Sequence, residues 1–206
     1  MEDLPVDTVL VRRLCAREES AFSLVLDRWS PGMLRLARSY VSTDESAAEV
    51  VQEAWLAVVE GLDRFEGRSS LRTWVYRILT NTAKRRGIRE HRIVPTEKLE
   101  SAISVDPRRF QADGDPFPGH WWEPPARWPE SGALGSEVRE LLIAALEELP
   151  ERQRIVIALR DAEGWASDEV CELLDITAAN QRVLLHRARA FVRGRLETYY
   201  TQEESS

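Results

Sequence analysis

Apolar residues recur at helical spacing in two stretches of the chain, and a segment without any such period separates them. In the first stretch, periodic segments cover residues 6–15, 21–29 and 33–41. The run Ser30-Pro31-Gly32 predicts a break between the second and third segments, because proline and glycine both disfavour a helix interior. No alternating pattern typical of a strand stands out anywhere.

Two further helices in the first stretch have recognisable beginnings. Ser42-Thr43-Asp44-Glu45 has the S-x-x-E form of a capping box and predicts a helix that ends near Gly61. After a turn over residues 63–68, Ser69 or Ser70 is expected to cap the next helix. The apolar positions of the two helices are Val51, Trp55, Val58 and Leu62 in the first, and Leu71, Val75, Ile78 and Thr82 in the second.

The second stretch predicts four helices. An amphipathic segment over 138–149 is stopped by Pro150, and a second segment covers 151–161. A short helix over 167–174, a break at Asp175-Ile176, and a long helix over 177–196 then follow. Short helix, tight turn and longer basic helix make the helix-turn-helix pattern, with Thr177 as the expected N-cap. The predicted fold class is therefore all-α.

Residues 95–136 contain seven of the ten prolines and four glycines, and their net charge is acidic. This composition predicts an extended linker over 94–136 between domains at 5–93 and 137–197. The linker also holds Trp121, Trp122 and Trp128. Two interpretations of this cluster stay open: it anchors the linker on the chain's own domains or on a partner, or it is a platform for a regulator.

The chain carries a net charge of −7 over 206 residues, which argues against nucleic-acid binding by its whole surface. The basic residues are concentrated, however. Residues 72–92 hold seven lysines and arginines against one acid, and residues 178–196 hold five arginines and no acid. Two basic segments in an acidic chain indicate two separate electrostatic footprints.

Other functions find little support in the sequence. Cys15 and Cys171 are far apart in apolar-periodic segments, so we expect small core residues rather than a disulfide or a metal site. There is no nucleophile with an adjacent base, no glycine-rich phosphate loop and no metal-ligand spacing. We expect neither an enzyme nor a cofactor. The acidic N-terminus and the lack of a long apolar run predict a cytoplasmic protein without membrane insertion.

The helix over 177–196 combines an apolar side with a cationic side. On a helical wheel Arg182, His186, Arg189 and Arg193 form one stripe, and Leu184, Ala188 and Phe191 lie opposite. Amide and guanidinium groups in the leading turn suit pairing with adenine or guanine edges, while the later arginines suit phosphates. A solvated basic face is the other interpretation. The preceding helix and turn favour binding of duplex DNA.

The helix after Ser70 has different chemistry. Trp74, Arg77, Asn81, Lys84 and Arg85 share one face, so an aromatic ring lies among cations and an amide. Such a face can stack an unpaired base while the cations hold phosphates, which suits melted or single-stranded DNA. The sequence leaves open the alternative that Trp74 packs against a neighbouring helix.

Four motifs resemble the group 4, or extracytoplasmic-function, sigma factors. Residues 48–56, AEVVQEAWL, and residues 70–78, SLRTWVYRI, are similar to two motifs of sigma region two. Residues 149–154, LPERQR, and residues 184–189, LLHRAR, resemble the start and end of region four. Asp175 departs from the pattern, because the family usually has glycine in this turn. We therefore expect a slightly strained, left-handed residue there.

The resemblance implies a factor that binds core RNA polymerase, directs it to promoters and aids their melting. Region two would bind the clamp helices of the β′ subunit through Glu49, Gln52 and Glu53. Region four would rest on the β-subunit flap, and the acidic linker would follow the path of the transcript. The resemblance also implies an anti-sigma factor. The rival interpretation is a stand-alone helix-turn-helix regulator, which would bind duplex DNA tightly without polymerase.

The resemblance also assigns residues to the two promoter elements. Those expected to contact the −10 element in its melted form are Arg64, Arg68, Ser69, Ser70, Arg72, Trp74, Arg77, Asn81, Lys84 and Arg85. Those expected to contact the −35 element as a duplex are Thr177, Asn180, Gln181, Arg182, His186, Arg187, Arg189 and Arg193.

Overall fold

The structure, a computed structural model, describes residues 4–90 and 136–203. Every described element is helical and none is a strand, which confirms the predicted all-α class. The predicted linker at 94–136, with its three tryptophans, lies almost entirely outside the described residues.

Helix α1 covers Asp7–Cys15 and helix α2 covers Glu19–Ala37. The predicted break at Ser30-Pro31-Gly32 is wrong, because α2 runs straight through Pro31. Proline removes one helical hydrogen bond, but Val25, Trp29, Met33 and Leu36 are buried along one side of α2 and stabilise it on both sides of the proline. Tertiary packing therefore overrides the local preference.

Helix α3 covers Asp44–Gly61 and helix α4 covers Leu71–Arg89, with a 3₁₀ turn at Leu62–Arg64 between them. The N-cap of α3 is Thr43, one residue later than the predicted box, and its side chain accepts a hydrogen bond from the Ser46 amide. Ser70 caps α4 as expected, accepting from the Thr73 amide. The Asp7 carboxylate accepts from the Leu71 amide at 2.7 Å and so ties α1 to the beginning of α4.

The core of the N-terminal helices lies between α2, α3 and α4. The rings of Trp29 and Trp55 are stacked with centroids 6.4 Å apart, and the Trp55 indole donates to Ser30 Oγ. Burying two indoles of this size contributes strongly to stability. Other fully buried side chains from these helices are Leu10, Val25, Met33, Leu36, Val50, Leu71, Val75, Tyr76 and Leu79.

The remaining helices are α5 (Ser136–Glu148), α6 (Glu151–Ile157), α7 (Ser167–Leu174) and α8 (Ala178–Glu203). Helix α6 continues as a π-helical turn over Ala158–Ala162. The break between α7 and α8 contains Asp175 with φ 54° and ψ 53°, so the expected left-handed conformation is confirmed.

The chain forms two compact units, each assembled from two separate stretches of the sequence. The N-terminal unit joins residues 4–90 with residues 158–177, whereas the C-terminal unit joins residues 136–157 with residues 178–203. Helix α7 thus belongs to the N-terminal unit and α8 to the C-terminal unit.

The two cysteines are not the fully buried core residues that the sequence predicts. Both are free, Cys15 is exposed and Cys171 is half-buried. Cys15 is the last residue of α1 and directly follows the buried Leu14.

Candidate nucleic-acid interface

The polar face of α4 begins at its cap and continues to its last turns. Arg77, Asn81, Lys84 and Arg85 are exposed, as the helical wheel predicts. In the preceding loop Arg64 and Arg68 are exposed, while Ser69 and Ser70 are half-buried at the cap. Arg68 pairs with Glu66 at 2.9 Å, but both side chains are largely exposed, so this pair holds Arg68 only weakly.

Trp74 lies half-buried on this face and contacts a second aromatic ring. The centroids of Phe65 and Trp74 are 5.3 Å apart, and their planes are inclined by 56°. A Cβ at Gly61 would lie 3.5 Å from the Trp74 ring, so the end of α3 also contacts the indole. The Trp74 ring therefore packs on neighbouring residues and also keeps solvent-accessible surface.

An open cavity of about 540 Å³ lies beside the exposed cations of α4. Its walls come from Ala57 of α3 and from Ile78, Asn81, Thr82, Lys84 and Arg85 of α4. An apolar floor with an amide and two cations at the rim suits a base and its flanking phosphates.

Two arginines of the predicted −10 set contact residues 158–177 of the N-terminal unit. The guanidinium carbon of Arg72 lies 4.2 Å from the centroid of the Trp165 ring. Arg77 Nη2 donates to the Glu172 carbonyl at 3.0 Å and lies 3.5 Å from the carboxylate of the same residue. The structure thus separates these two arginines from Asn81, Lys84 and Arg85.

Helix α3 presents acidic and apolar residues together. Glu49, Gln52 and Glu53 are all exposed, and Arg86 of α4 lies 2.8 Å from the carboxylates of both Glu49 and Glu53. Its hydrogen bond to Glu53 and the nearby Glu49 charge raise the pKa of Arg86 above its ordinary value. Leu56 and Val59 on the same helix are 65% and 51% exposed. Exposed apolar residues bordered by charges are typical of a protein-binding surface.

The exposed stripe of α8 is rotated relative to the prediction. Thr177, Asn180, Arg182, His186 and Arg187 are exposed, whereas Arg189 and Arg193 are half-buried. The buried positions include Leu185, Ala188 and Val192. Base-reading chemistry therefore concentrates in the first two and a half turns of the helix.

Gln181 does not belong to this exposed stripe. Its side chain is only 1% exposed, so the structure does not present the Gln181 amide on the predicted base-reading surface. Gln181 precedes Leu185 and Ala188 by four and seven positions, which puts it on the packing side of the helix. The apolar spacing alone could have revealed this, but the amide side chain suggested base recognition instead.

Sequence reasoning missed three exposed apolar residues beside the predicted sites. Val183 is 48% exposed and lies on α8 between Arg182 and His186, where a polar residue would be expected. Leu56 and Val59 border the acidic positions of α3. A single valine or leucine in the sequence does not show whether its side chain is exposed, because the same residue types also fill the core.

Two family models match the chain over these surfaces. Residues 25–92 match sigma-70 region 2, and residues 139–192 match sigma-70 region 4. The chain is 28% identical to the ECF RNA polymerase sigma-E factor of Escherichia coli K12 over 197 residues, covering 96% of this chain and 97% of that protein. It is also 28% identical to the sigma-E factor of Haemophilus influenzae over 199 residues, covering 96% and 98% respectively.

Two solved structures share the fold. A structure of CnrH in complex with the cytosolic domain of CnrY has a TM-score of 0.61 at 19% identity and covers 93% of this chain and 97% of that one. The sigma factor RpoE in complex with the anti-sigma factor NepR from Bartonella quintana has a TM-score of 0.58 at 22% identity, with coverage of 85% and 96%.

These matches define a transcription initiation factor, since both sigma regions occur in the family's order. The chain belongs to the extracytoplasmic-function sigma factors of RNA polymerase. The interpretation as a stand-alone regulator is not favoured. None of the helices described here is both long and apolar enough to span a bilayer.

Proposed function

We propose that this sigma factor reads a promoter in two physical forms through two separate surfaces. The polar face of α4 takes the melted −10 element, with Trp74 stacking on an unpaired base and Asn81, Lys84 and Arg85 beside it. The exposed stripe of α8 takes the −35 element as a duplex. Each base edge in the major groove presents its own pattern of donors and acceptors, which Arg182 and Asn180 can pair with.

One observation carries the −10 assignment: a half-exposed indole and three exposed polar residues lie on one helix, beside an open cavity of about 540 Å³. Stacking on an aromatic side chain contributes about 1–3 kcal/mol per base and is tolerant of sequence. That magnitude is comparable to the few kcal/mol needed to unstack a base. The face can therefore stabilise a base that has already left the duplex.

The −35 assignment rests on a different observation. In the leading turns of α8 an exposed valine, 48% accessible, lies within a stripe of Asn180, Arg182, His186 and Arg187. Cations suit phosphates and guanine edges, and an aliphatic side chain suits the methyl group of thymine. We therefore add Val183 to the residues that read the −35 element, and remove Gln181.

The core-polymerase surface in this proposal is the exposed side of α3. Gln52, Leu56 and Val59 supply amide and aliphatic contacts, and Glu49 and Glu53 supply negative charge next to Arg86. The partner is the clamp-helix part of the β′ subunit, while the C-terminal unit rests on the β flap. An anti-sigma factor is a further proposed partner. Relatives of the same fold have been solved with such partners, as the RpoE complex with NepR shows for that protein.

In vitro transcription over a library of randomised promoters tests the function. The full-length chain is added to core RNA polymerase, and the transcribed templates are sequenced. We expect transcripts only when both are present, from templates that share two separated motifs. The chain is also tested for binding to the same templates without core enzyme. If it bound duplex templates tightly and selected the same motifs alone, the result would support the stand-alone regulator instead.

A further inference from the structure

Within the N-terminal unit, residues 158–177 pack against α2 and α4; we call these residues the docking segment. Its largest fully buried side chain is Trp165. The Trp165 ring meets the Tyr76 ring edge-on, with centroids 4.8 Å apart, and Arg72 lies over its face. Ring pairs and cation–π contacts have preferred geometries, so an indole held between a phenol and a guanidinium is a specific contact.

An ion pair holds the same segment to α2. Arg35 Nε donates to Glu163 Oε1 at 2.5 Å, and the Glu163 side chain is only 10% exposed. Gly32 makes room for this carboxylate, because a Cβ at that position would collide with both Glu163 and the Tyr76 hydroxyl. Gly164, between the two anchoring residues, has φ 66°, a left-handed conformation that glycine adopts without strain.

The third contact involves a residue that is itself predicted to bind DNA. Arg77 donates to the backbone carbonyl of Glu172 and lies beside the Glu172 carboxylate. Together with Arg72, which lies over Trp165, two cations of the −10 surface are held by the docking segment. While Arg77 Nη2 is bonded to Glu172 and Arg72 lies over Trp165, these contacts compete with a phosphate for the two guanidinium groups.

We infer that the docking segment is an autoinhibitory element whose contact with α2 and α4 excludes melted promoter DNA from Arg72 and Arg77. This inference rests on the proposed −10 function of α4. Release of Trp165 and Glu163 is then a step that precedes full engagement of the promoter.

The contact is built so that it can open. Arg72 Nε and Trp165 Nε1 are buried without a hydrogen-bond acceptor among the residues that the structure describes. Buried donors without acceptors cost free energy, which is recovered when water or phosphate reaches them. The ring and ion-pair geometry makes the docked arrangement specific, and these two donors gain access to water or phosphate only when the segment is released.

Charge reversal tests the inference on the full-length chain. The variants are Arg35→Glu, Glu163→Arg and the double variant with both changes, and Arg13→Glu is the control because it breaks a comparable ion pair with Glu18 at the end of α1. Two quantities are measured without polymerase. The first is hydrogen exchange of the amides in residues 158–177, and the second is anisotropy-detected affinity for a short single-stranded DNA of mixed sequence.

The two single reversals change the net charge in opposite directions, which separates release from simple electrostatics. We expect both to speed exchange and to tighten DNA binding by about fivefold, and the double variant to return towards wild type. If only Glu163→Arg bound the DNA more tightly, the effect would be explained by its more positive net charge, and the inference would be overturned. Unchanged exchange in both singles would overturn the docking, and faster exchange without tighter binding would overturn its inhibitory role. Transcription by the wild type with core enzyme is measured in parallel, so a failure of the proposed function is recognised separately.

Discussion

Phe65 and Trp74 form a tilted aromatic pair with ring centroids 5.3 Å apart, and this pair joins the loop after α3 to the polar face of α4. Phe65 extends from the turn that follows the 3₁₀ segment, whereas Trp74 is one turn into the helix. The contact fixes the orientation of the indole before any DNA is present. A ring that is already ordered loses less conformational entropy when a base stacks on it.

Val183 is predicted to read a thymine methyl group in the −35 element. Replacing that thymine by uracil deletes only the methyl group, so it should weaken binding of the wild-type holoenzyme by about 1 kcal/mol. In Val183→Ala the same replacement should have little effect, because the contact is already lost. Electrophoretic mobility assays with the four combinations give the coupling between side chain and methyl group.

Arg182→Ala serves as the comparison for Val183. We expect it to weaken discrimination at one −35 position by about 1–3 kcal/mol, independently of the uracil replacement. If Arg182→Ala weakened all sequences alike, Arg182 would be a phosphate contact. If Val183→Ala remained as sensitive to uracil as the wild type, the valine would not touch the methyl group.

Gln181 is predicted to act through stability and not through base recognition. Because its side chain is 1% exposed, Gln181→Ala should lower the free energy of unfolding by about 1–2 kcal/mol while −35 discrimination stays unchanged. Asn180→Ala, at an exposed neighbouring position, should cost less stability and relax discrimination. Urea unfolding and promoter competition measure the two effects. The reverse pattern would return Gln181 to the base-reading set.

The difference between Gln181 and its neighbours shows what the sequence can predict. Helix positions followed from apolar spacing and capping residues, and Ser70 and Asp175 behave in the structure as expected. The burial of Gln181 could have been predicted from the same spacing, but the exposure of Val183 could not, because it depends on how the helix is rotated against its neighbours. Pro31 is a similar case, since the packing of α2 outweighs the loss of one hydrogen bond.

Contacts between distant parts of the chain were also beyond the sequence. Arg35 and Glu163 are 128 positions apart in the sequence. Nothing in the sequence distinguishes them from the arginines and glutamates that are simply exposed to solvent. The sequence likewise does not distinguish Trp165 from other tryptophans, although it is fully buried and lies against two residues of α4. Local periodicity contains no information about such pairing.

Val59 is predicted to contact core RNA polymerase. Val59→Glu should reduce affinity for the core enzyme about tenfold or more, because it places a charge in an apolar contact. Val9→Glu is the matched control: the same change at a valine that is 40% exposed on α1, compared with 51% at Val59. Both variants should unfold at nearly the same urea concentration as the wild type. An equal affinity for core enzyme in the two variants would remove the exposed side of α3 from the interface.

Tyr76 gives a pH-dependent prediction for the N-terminal unit. Burial raises the pKa of Tyr76 from 10.0 to about 12, so folding favours the protonated phenol. The resulting contribution to the free energy of unfolding is about 2–3 kcal/mol. It is fully present below about pH 10 and is lost as the pH rises through about 12. Tyr76→Phe cannot ionise and should lack this part of the alkaline loss. Urea unfolding of both proteins across this range measures the difference, and parallel curves would contradict the prediction.

The account depends most on the claim that α4 acts on melted DNA and α8 on duplex DNA. Promoter binding by the holoenzyme to a fully paired template and to one with a pre-melted −10 bubble tests this claim, with Trp74→Ala and Arg182→Ala as the variants. A paired template kept closed at low temperature offers no unpaired base, so Trp74→Ala should bind it like the wild type but bind the bubble more weakly by about 1–3 kcal/mol, whereas Arg182→Ala should be defective on both templates. The same pattern of defects in the two variants would contradict the division of the promoter between the two surfaces.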